Sequence, residues 1–281
     1  MRKERRFWMI RVNEIREGTY KETPRIPEEF PAAIICLSSG KGGVGKTSIT
    51  VNLGILLADM GYRTLIVDGD MGLANIDVVM GISVRSSIRD ILVNEGDPME
   101  TVVQVSSNLY VLPASSGMPE MVSVGPEEQE LLEEALLSIS SNFHFVLIDS
   151  AAGIGSAVLW FNSFAQYNVV VLTPDPTSLT DAYALIKVLH RDYQRERFHL
   201  ILNLVKNDRE GGQVGDGINR VINKFLGLSP DCLGHIPMDH EVRKAVREQM
   251  PFIKEKPDCR ASVAMREIVQ KVEGWGSQMR V

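Results

Sequence analysis

Two rhythms of apolar residues alternate along the chain. Short, nearly unbroken apolar runs occur at Ala33-Ile34-Ile35-Cys36-Leu37, Thr64-Leu65-Ile66-Val67, Leu109-Tyr110-Val111-Leu112, Phe145-Val146-Leu147-Ile148, Asn168 to Leu172, His199 to Leu204 and, more weakly, Leu233 to Pro237. Runs of this length without alternation read as strands buried on both faces. Between them apolar residues return every three or four positions: Ile49, Leu53, Leu56 and Leu57; a short pattern over 86–95; Leu131, Leu132, Ala135, Leu136 and Ile139; about Ile218 to Leu226; Val242, Ala245 and Val246; and Val263, Ile268, Val269 and Val272. These are helical faces. Gly61 is placed to end the first helix, Pro126 to open the 126–140 helix, and Pro251 to stop the helix before it. Asp208 to Gly217 reads as a polar, glycine-rich loop, and Gly274-Trp275-Gly276 as an interruption of the last helix. Strands alternating with helices predict one doubly wound, mainly parallel α/β domain, whose ligands sit at the carboxyl ends of the strands.

That domain should occupy residues 31–281, leaving 1–30 as an appendage. Arg2, Lys3, Arg5, Arg6 and Arg11 face one acid, Glu4, with Phe7, Trp8, Met9 and Ile10 among them. Such a mixture suits an anionic membrane surface or an acidic partner, and equally an ordinary charged segment packed on the domain. Pro24, Pro27 and Pro31 mark a linker. A net charge of −6 gives no global case for nucleic-acid binding. Cys36, Cys232 and Cys259 are too few and too scattered for a disulfide framework or a metal site. No run reaches transmembrane length and no secretory signal is seen, so the expected place is the cytoplasm, with peripheral attachment to the inner face of the membrane left open. His235 and His240 lack metal-site spacing and read as structural.

The chemistry begins at Gly40-Lys41-Gly42-Gly43-Val44-Gly45-Lys46-Thr47, followed by Ser48, between the first strand and the first helix. Glycines let successive N–H groups converge on phosphate oxygens, while Lys46 and Thr47 reach the phosphates and Mg²⁺. The helix N-terminus adds its dipole. At the end of the second strand stands Asp68-Gly69-Asp70-Met71-Gly72-Leu73-Ala74-Asn75-Ile76-Asp77, and Asp149 closes the run Phe145 to Ile148. Phosphoryl transfer needs one acid near Mg²⁺ and another near the attacking water. For Asp77 a turn-capping role stands beside a functional one.

Lys41 is not required by a generic phosphate loop. KGGVGKT resembles the deviant Walker A motif of the MinD/ParA ATPases, and Asp68 to Asp77 resembles their D-x-D-x-G-x-x-N-x-D segment. The resemblance spans about Pro31 to Met250 and implies an ATP- and Mg²⁺-dependent ATPase that dimerises on ATP. It implies Lys46 acting in cis and Lys41 across the dimer, where the residues alone would also allow a solvated loop lysine. It further implies Asp68, Asp149 and Thr47 in the Mg²⁺ shell, Asp70 orienting water, and Asn75 and Asp77 supporting a switch at the dimer surface. Asn203, together with Pro237 and Asp239 of a G-x-I-P-x-D-like stretch, is implied on the adenine side. Ser150-Ala151-Ala152-Gly153-Ile154 and Thr173-Pro174-Asp175-Pro176-Thr177-Ser178-Leu179-Thr180-Asp181-Ala182-Tyr183-Ala184-Leu185-Ile186-Lys187 look like the FlhG/FleN group, regulators of flagellar number and placement. Thr177 or Ser178 should cap the helix that follows, and Asp181 is implied near the dimer and effector surface. Asp175 replaces the group's usual glutamate. Implied partners are a second copy of the chain, an FlhF-type GTPase, flagellar C-ring proteins or a flagellar transcription activator, although residues 1–30 hold no match to the D-Q-A-x-x-L-R element with which many FlhG proteins stimulate FlhF. A division-site or cargo-positioning client is the alternative. A metabolic P-loop enzyme is a third reading, disfavoured for the nitrogenase iron-protein type because no cysteine follows Asp149 closely.

Overall fold

In the computed structural model, residues 30–71, 75–84, 87–93, 97–114 and 126–277 are described. The expectations for residues 1–29, for Gly72 to Ala74 and for the turn at Ser115 to Gly117 lie outside them. Eight strands form one sheet: β1 (Ala33–Ser39), β2 (Thr64–Gly69), β3 (Val103–Gln104), β4 (Leu109–Leu112), β5 (Phe145–Ala152), β6 (Tyr167–Leu172), β7 (Phe198–Val205) and β8 (Asp231–Pro237), in the order β3-β4-β2-β5-β1-β6-β7-β8. All pairings are parallel except the edge pair β3/β4. β1 lies between β5 and β6, where the winding reverses, and its carboxyl end therefore opens into a crevice.

The helices are α1 (Lys46–Asp59), α2 (Ile76–Met80), α3 (Ile88–Val93), α4 (Pro126–Ser140), α5 (Ser156–Phe164), α6 (Pro176–Tyr193), α7 (Asp208–Leu226), α8 (His240–Arg247), α9 (Phe252–Glu255) and α10 (Arg260–Ser277). Alternate residues of the central strands feed opposite layers, as a two-residue repeat requires. Ile35 and Leu37 meet Leu53 and Leu57 of α1 and Met265 and Ile268 of α10. Ile34 and Cys36 meet Leu132 and Leu136 of α4 and Phe161 and Phe164 of α5. Val170 and Leu172 meet Leu185 and Leu189 of α6 and Ile218 and Ile222 of α7. Burial pushes the Cys36 thiol up to about 12, consistent with a small hydrophobe.

The structure corrects several sequence expectations. The strand β3 and the helices α2, α5 and α9 were not expected. The glycine-rich loop at 208–217 is helix: Asn207 caps α7 by accepting the Glu210 N–H at 2.9 Å. Gly211 serves close packing, since a Cβ there would stand 2.5 Å from the His235 ring. Likewise α10 runs through Gly274-Trp275-Gly276. Trp275 stacks on Tyr167 at 4.3 Å, and a Cβ on Gly276 would stand 2.3 Å from the Phe145 ring. A glycine costs a helix about 1 kcal/mol relative to alanine, and the close contacts at Gly211 and Gly276 offset it there. The cap of α6 is Asp175, which accepts the Thr177 N–H, rather than Thr177 or Ser178.

Gly211→Val should therefore overpack the α7/β8 contact and destabilise the protein by about 1–3 kcal/mol, read as a lowered thermal midpoint. In a His235→Ala background the same substitution should cost less.

Candidate nucleotide-binding site

The loop between β1 and α1 is shaped by backbone geometry before any side chain acts. Gly43 and Gly45 have φ of 77° and 91°, a region that side-chain-bearing residues rarely adopt. A Cβ on Gly42 or Gly43 would meet nothing within 4 Å, so the loop's N–H groups border open space at the sheet crevice. An anion fits there. Behind the loop a Cβ on Gly45 would stand 2.3 Å from Asn203 Nδ2, which donates to the Val44 carbonyl at 2.8 Å. Asn203 Oδ1 accepts the N–H of Leu204, itself held at a φ of 59°. Asn203 thus braces the loop from a buried position, its amide group bonded to the backbone on both sides.

At the floor, Asp68 on β2 and Asp149 on β5 are register partners. Lys46 Nζ donates to Asp149 Oδ1 at 2.8 Å, with side chains only 8% and 2% exposed. Thr50, one turn beyond Lys46 on α1, donates to the same oxygen at 3.1 Å. Asp68 accepts backbone N–H groups from Asp70 and Asn75 at 3.1 Å and from Ile76 at 3.3 Å. Its carboxyl is nevertheless raised to about 7, first by burial and then by the Asp149 charge, which outweigh those three bonds. Those bonds fix the chain around Asp70, which emerges half-exposed from the end of β2. The donor set of Thr47, Asp68 and Asp149 is all oxygen, the chemistry Mg²⁺ takes.

Lys41 stands outside this buried group. Its ammonium lies 3.3 Å from Asp175 Oδ2 and donates to the Thr177 hydroxyl, with Lys41 and Asp175 both roughly half-exposed. The Thr177 hydroxyl and N–H, with Lys41 after them, lower the Asp175 carboxyl to about 2. The shorter acid thus holds α6 and Lys41 at once. A Cβ on Gly40 would stand 2.2 Å from the carbonyl carbon of Asp181, so glycine is needed where α6 presses on the loop.

Other expected residues have local partners. Asp77 accepts the Val78 N–H at 2.8 Å in the first turn of α2, and Asn75 stands at that helix's N-terminus. Asp239 caps α8 by accepting the Glu241 N–H at 3.0 Å, and Pro237 pairs with Val205 in the sheet. His235 packs on Gly211 and lies 3.5 Å from the Cys232 thiol. Two contributors were missed: Thr50, whose signal was its spacing of four from Lys46, and Thr177 as a partner of Lys41, which no local pattern reveals.

The family model for ParA, described as "NUBPL iron-transfer P-loop NTPase", matches residues 31–273. The chain belongs to the ParA family of P-loop NTPases. It is 37% identical over 245 residues to the antiactivator FleN of Pseudomonas aeruginosa, covering 87% of this chain and 88% of that one. It is 33% identical to the septum site-determining protein MinD of Bacillus subtilis, covering 88% and 91%. Among solved structures, MinD of Pyrococcus horikoshii complexed with Mg-ADP matches with a TM-score of 0.74 and 25% identity, covering 88% of this chain and 98% of that one. Members of this ParA/MinD class are ATP hydrolases, and the open loop and oxygen donors described above fit nucleotide and Mg²⁺.

The raised Asp68 carboxyl has a definite sign. Between the ordinary value of 3.8 and about 7 the folded protein holds a proton that the unfolded chain has released. The contribution is fully present below the lower value and is lost as pH passes the upper one. In chelator and without nucleotide, the unfolding midpoint should fall as pH rises across that window. Asp68→Asn should flatten this component of the profile.

Proposed function

We propose that the protein is an ATP-driven switch that dimerises on ATP and governs the number and placement of flagella. The observation carrying the switch reading is the contrast between its two loop lysines. Lys46 is sealed in the floor beside Asp149, where it meets only a nucleotide in its own cradle. Lys41 is held by a partly exposed acid and a hydroxyl, contacts that solvent screens. It can leave that perch for a phosphate bound by a facing subunit at little cost.

On this reading the loop N–H groups and Lys46 hold the β- and γ-phosphates, and Asp70 orients the attacking water. Thr47, Asp68 and Asp149 would hold Mg²⁺, which when bound supplies further positive charge to those phosphates. Lys41 of each subunit would close the other's cradle. Hydrolysis removes the group that both lysines share, so the dimer parts and α2, α6 and the chain around Asp70 return to their unpaired arrangement. The segment from Asp175 to Asp181 then couples the loop to a client, because α6 touches the loop at Gly40 and carries the Lys41 perch.

The flagellar client is supported by two relatives, FleN and the flagellum site-determining protein YlxH of Helicobacter pylori, 32% identical over 238 residues. The word antiactivator in the first name favours a transcription activator among the clients, beside an FlhF-type GTPase or C-ring proteins. The MinD relatives favour a second reading, the same switch with a division-site client.

Lys41→Ala should keep nucleotide affinity within a few-fold and lose ATP-dependent dimers in light scattering; normal dimers would remove the trans-lysine role. Asp70→Ala should bind ATP and accumulate as a dimer with turnover reduced about 100-fold or more, and a monomer at saturating ATP would contradict it. Deleting the gene should alter flagellar number or position by electron microscopy. Normal flagella with misplaced septa would favour the second reading.

A further inference from the structure

Residues 1–29 lead into Phe30, a buried residue in the apolar layer shared with Leu132, Leu136 and Ile139 of α4. The chain therefore enters the domain on the face that α4 covers. This helix has an unusual outer surface. Its sequence, PEEQELLEEALLSIS, holds five glutamates and no lysine, arginine or histidine. The inward stripe of Leu132, Leu136 and Ile139 is buried, while Glu130 and Glu134, one turn apart, are exposed along one side of Leu131, which is 53% exposed.

No ion pair with a described cation relieves Glu130, Glu133 or Glu134. Like charges one turn apart weaken a helix, and an exposed leucine amid them gains nothing from water. Burial, with Glu130 and Glu134 beside it, pushes the Glu133 carboxyl up. The face thus asks for a partner that is basic with an apolar centre. A second copy of α4 would bring like charge, and an anionic membrane would be repelled. Residues 2–11 of this chain have the required composition: Arg2, Lys3, Arg5, Arg6 and Arg11 around Phe7, Trp8, Met9 and Ile10, against Glu4 alone.

We propose that residues 2–11 dock in cis on the outer face of α4, their basic side chains against Glu130 and Glu134 and their apolar run over Leu131. Reach is no obstacle. The residues between 11 and Phe30 can span about 60 Å when extended, against roughly 22 Å for a helix of α4's length. Tethering also raises the local concentration of the segment to about the millimolar range, enough to populate a contact that would be weak between separate molecules. While docked, the segment is withheld from outside anionic surfaces, and a surface of higher negative charge density competes for it. High salt weakens the contact, because screening at physiological ionic strength already acts over about 8 Å.

The test uses the full chain, with zero-length carbodiimide cross-linking and hydrogen exchange on residues 2–11 and on α4. The wild type should give a bond between Lys3 and Glu130 or Glu134 within one molecule, and slowed exchange in both segments. Glu130→Lys with Glu134→Lys, both at exposed positions, should lose the cross-link and speed exchange of residues 2–11 several-fold, while circular dichroism shows the fold retained. Adding Arg5→Glu and Arg6→Glu to that variant should restore the slow exchange. Equal exchange in the wild type and the lysine variant would overturn the proposal. So would cross-links from Lys3 only to other carboxylates or to a second, isotope-labelled molecule, or protection of residues 2–11 that appears only when anionic vesicles are added. None of these readouts involves nucleotide turnover or flagella.

Discussion

The buried ion pair between Lys46 and Asp149 is the constraint around which the rest of the molecule is arranged. Parallel pairing of β2 with β5 sets two carboxylates, Asp68 and Asp149, side by side at the end of a desolvated sheet. One is answered by Lys46 and Thr50, the other by three backbone N–H groups and a raised affinity for its proton. A lone buried charge would cost several kcal/mol. The same crowding makes the site a place for a cation and a polyphosphate, because hard oxygen donors and a buried ammonium are already held in position.

Around this floor, each close approach in the loop has its own small residue. Gly45 admits Asn203, whose amide braces Val44, and Gly40 admits the backbone of α6 at Asp181. The second contact joins the phosphate loop mechanically to the helix that carries Asp175 and Thr177. Lys41 spans the same junction from outside, so a change in what this lysine touches is a change in the relation between loop and helix. That junction ties the phosphate loop directly to the backbone of α6.

The far edge of the sheet follows the same logic without phosphate chemistry. α7 and α10 run straight through glycines that in isolation read as breaks; at Gly211 and Gly276, His235 and Phe145 occupy the space a side chain would need. Helix propensity is a sum of about 1 kcal/mol terms, and burial against a rigid sheet exceeds it. On the layer it shares with α7, α4 keeps its buried stripe and leaves a negatively charged outer face, while the basic residues 2–11 precede Phe30 of the same apolar layer, in a chain that is only modestly acidic overall.

By itself the sequence determined the architecture and the phosphate site. Apolar runs of strand length, helical periodicity between them, and a loop motif whose glycines and lysine have one chemical use are local patterns, and their physics is local. The places of Lys46 at the start of α1 and of Asp68 and Asp149 near the carboxyl ends of β2 and β5 were legible for that reason. Tertiary structure alone decided what the local pattern left undetermined: that residues 208–217 are helix, that α10 continues past Gly274, that Asp175 rather than Thr177 caps α6, that Asn203 supports the loop, and that Lys41 rests on a helix about 135 residues away, well beyond the few-residue range over which local propensity acts. Each of these depends on which atoms stand opposite a residue in space, and chain folding brings those atoms from segments far apart in sequence.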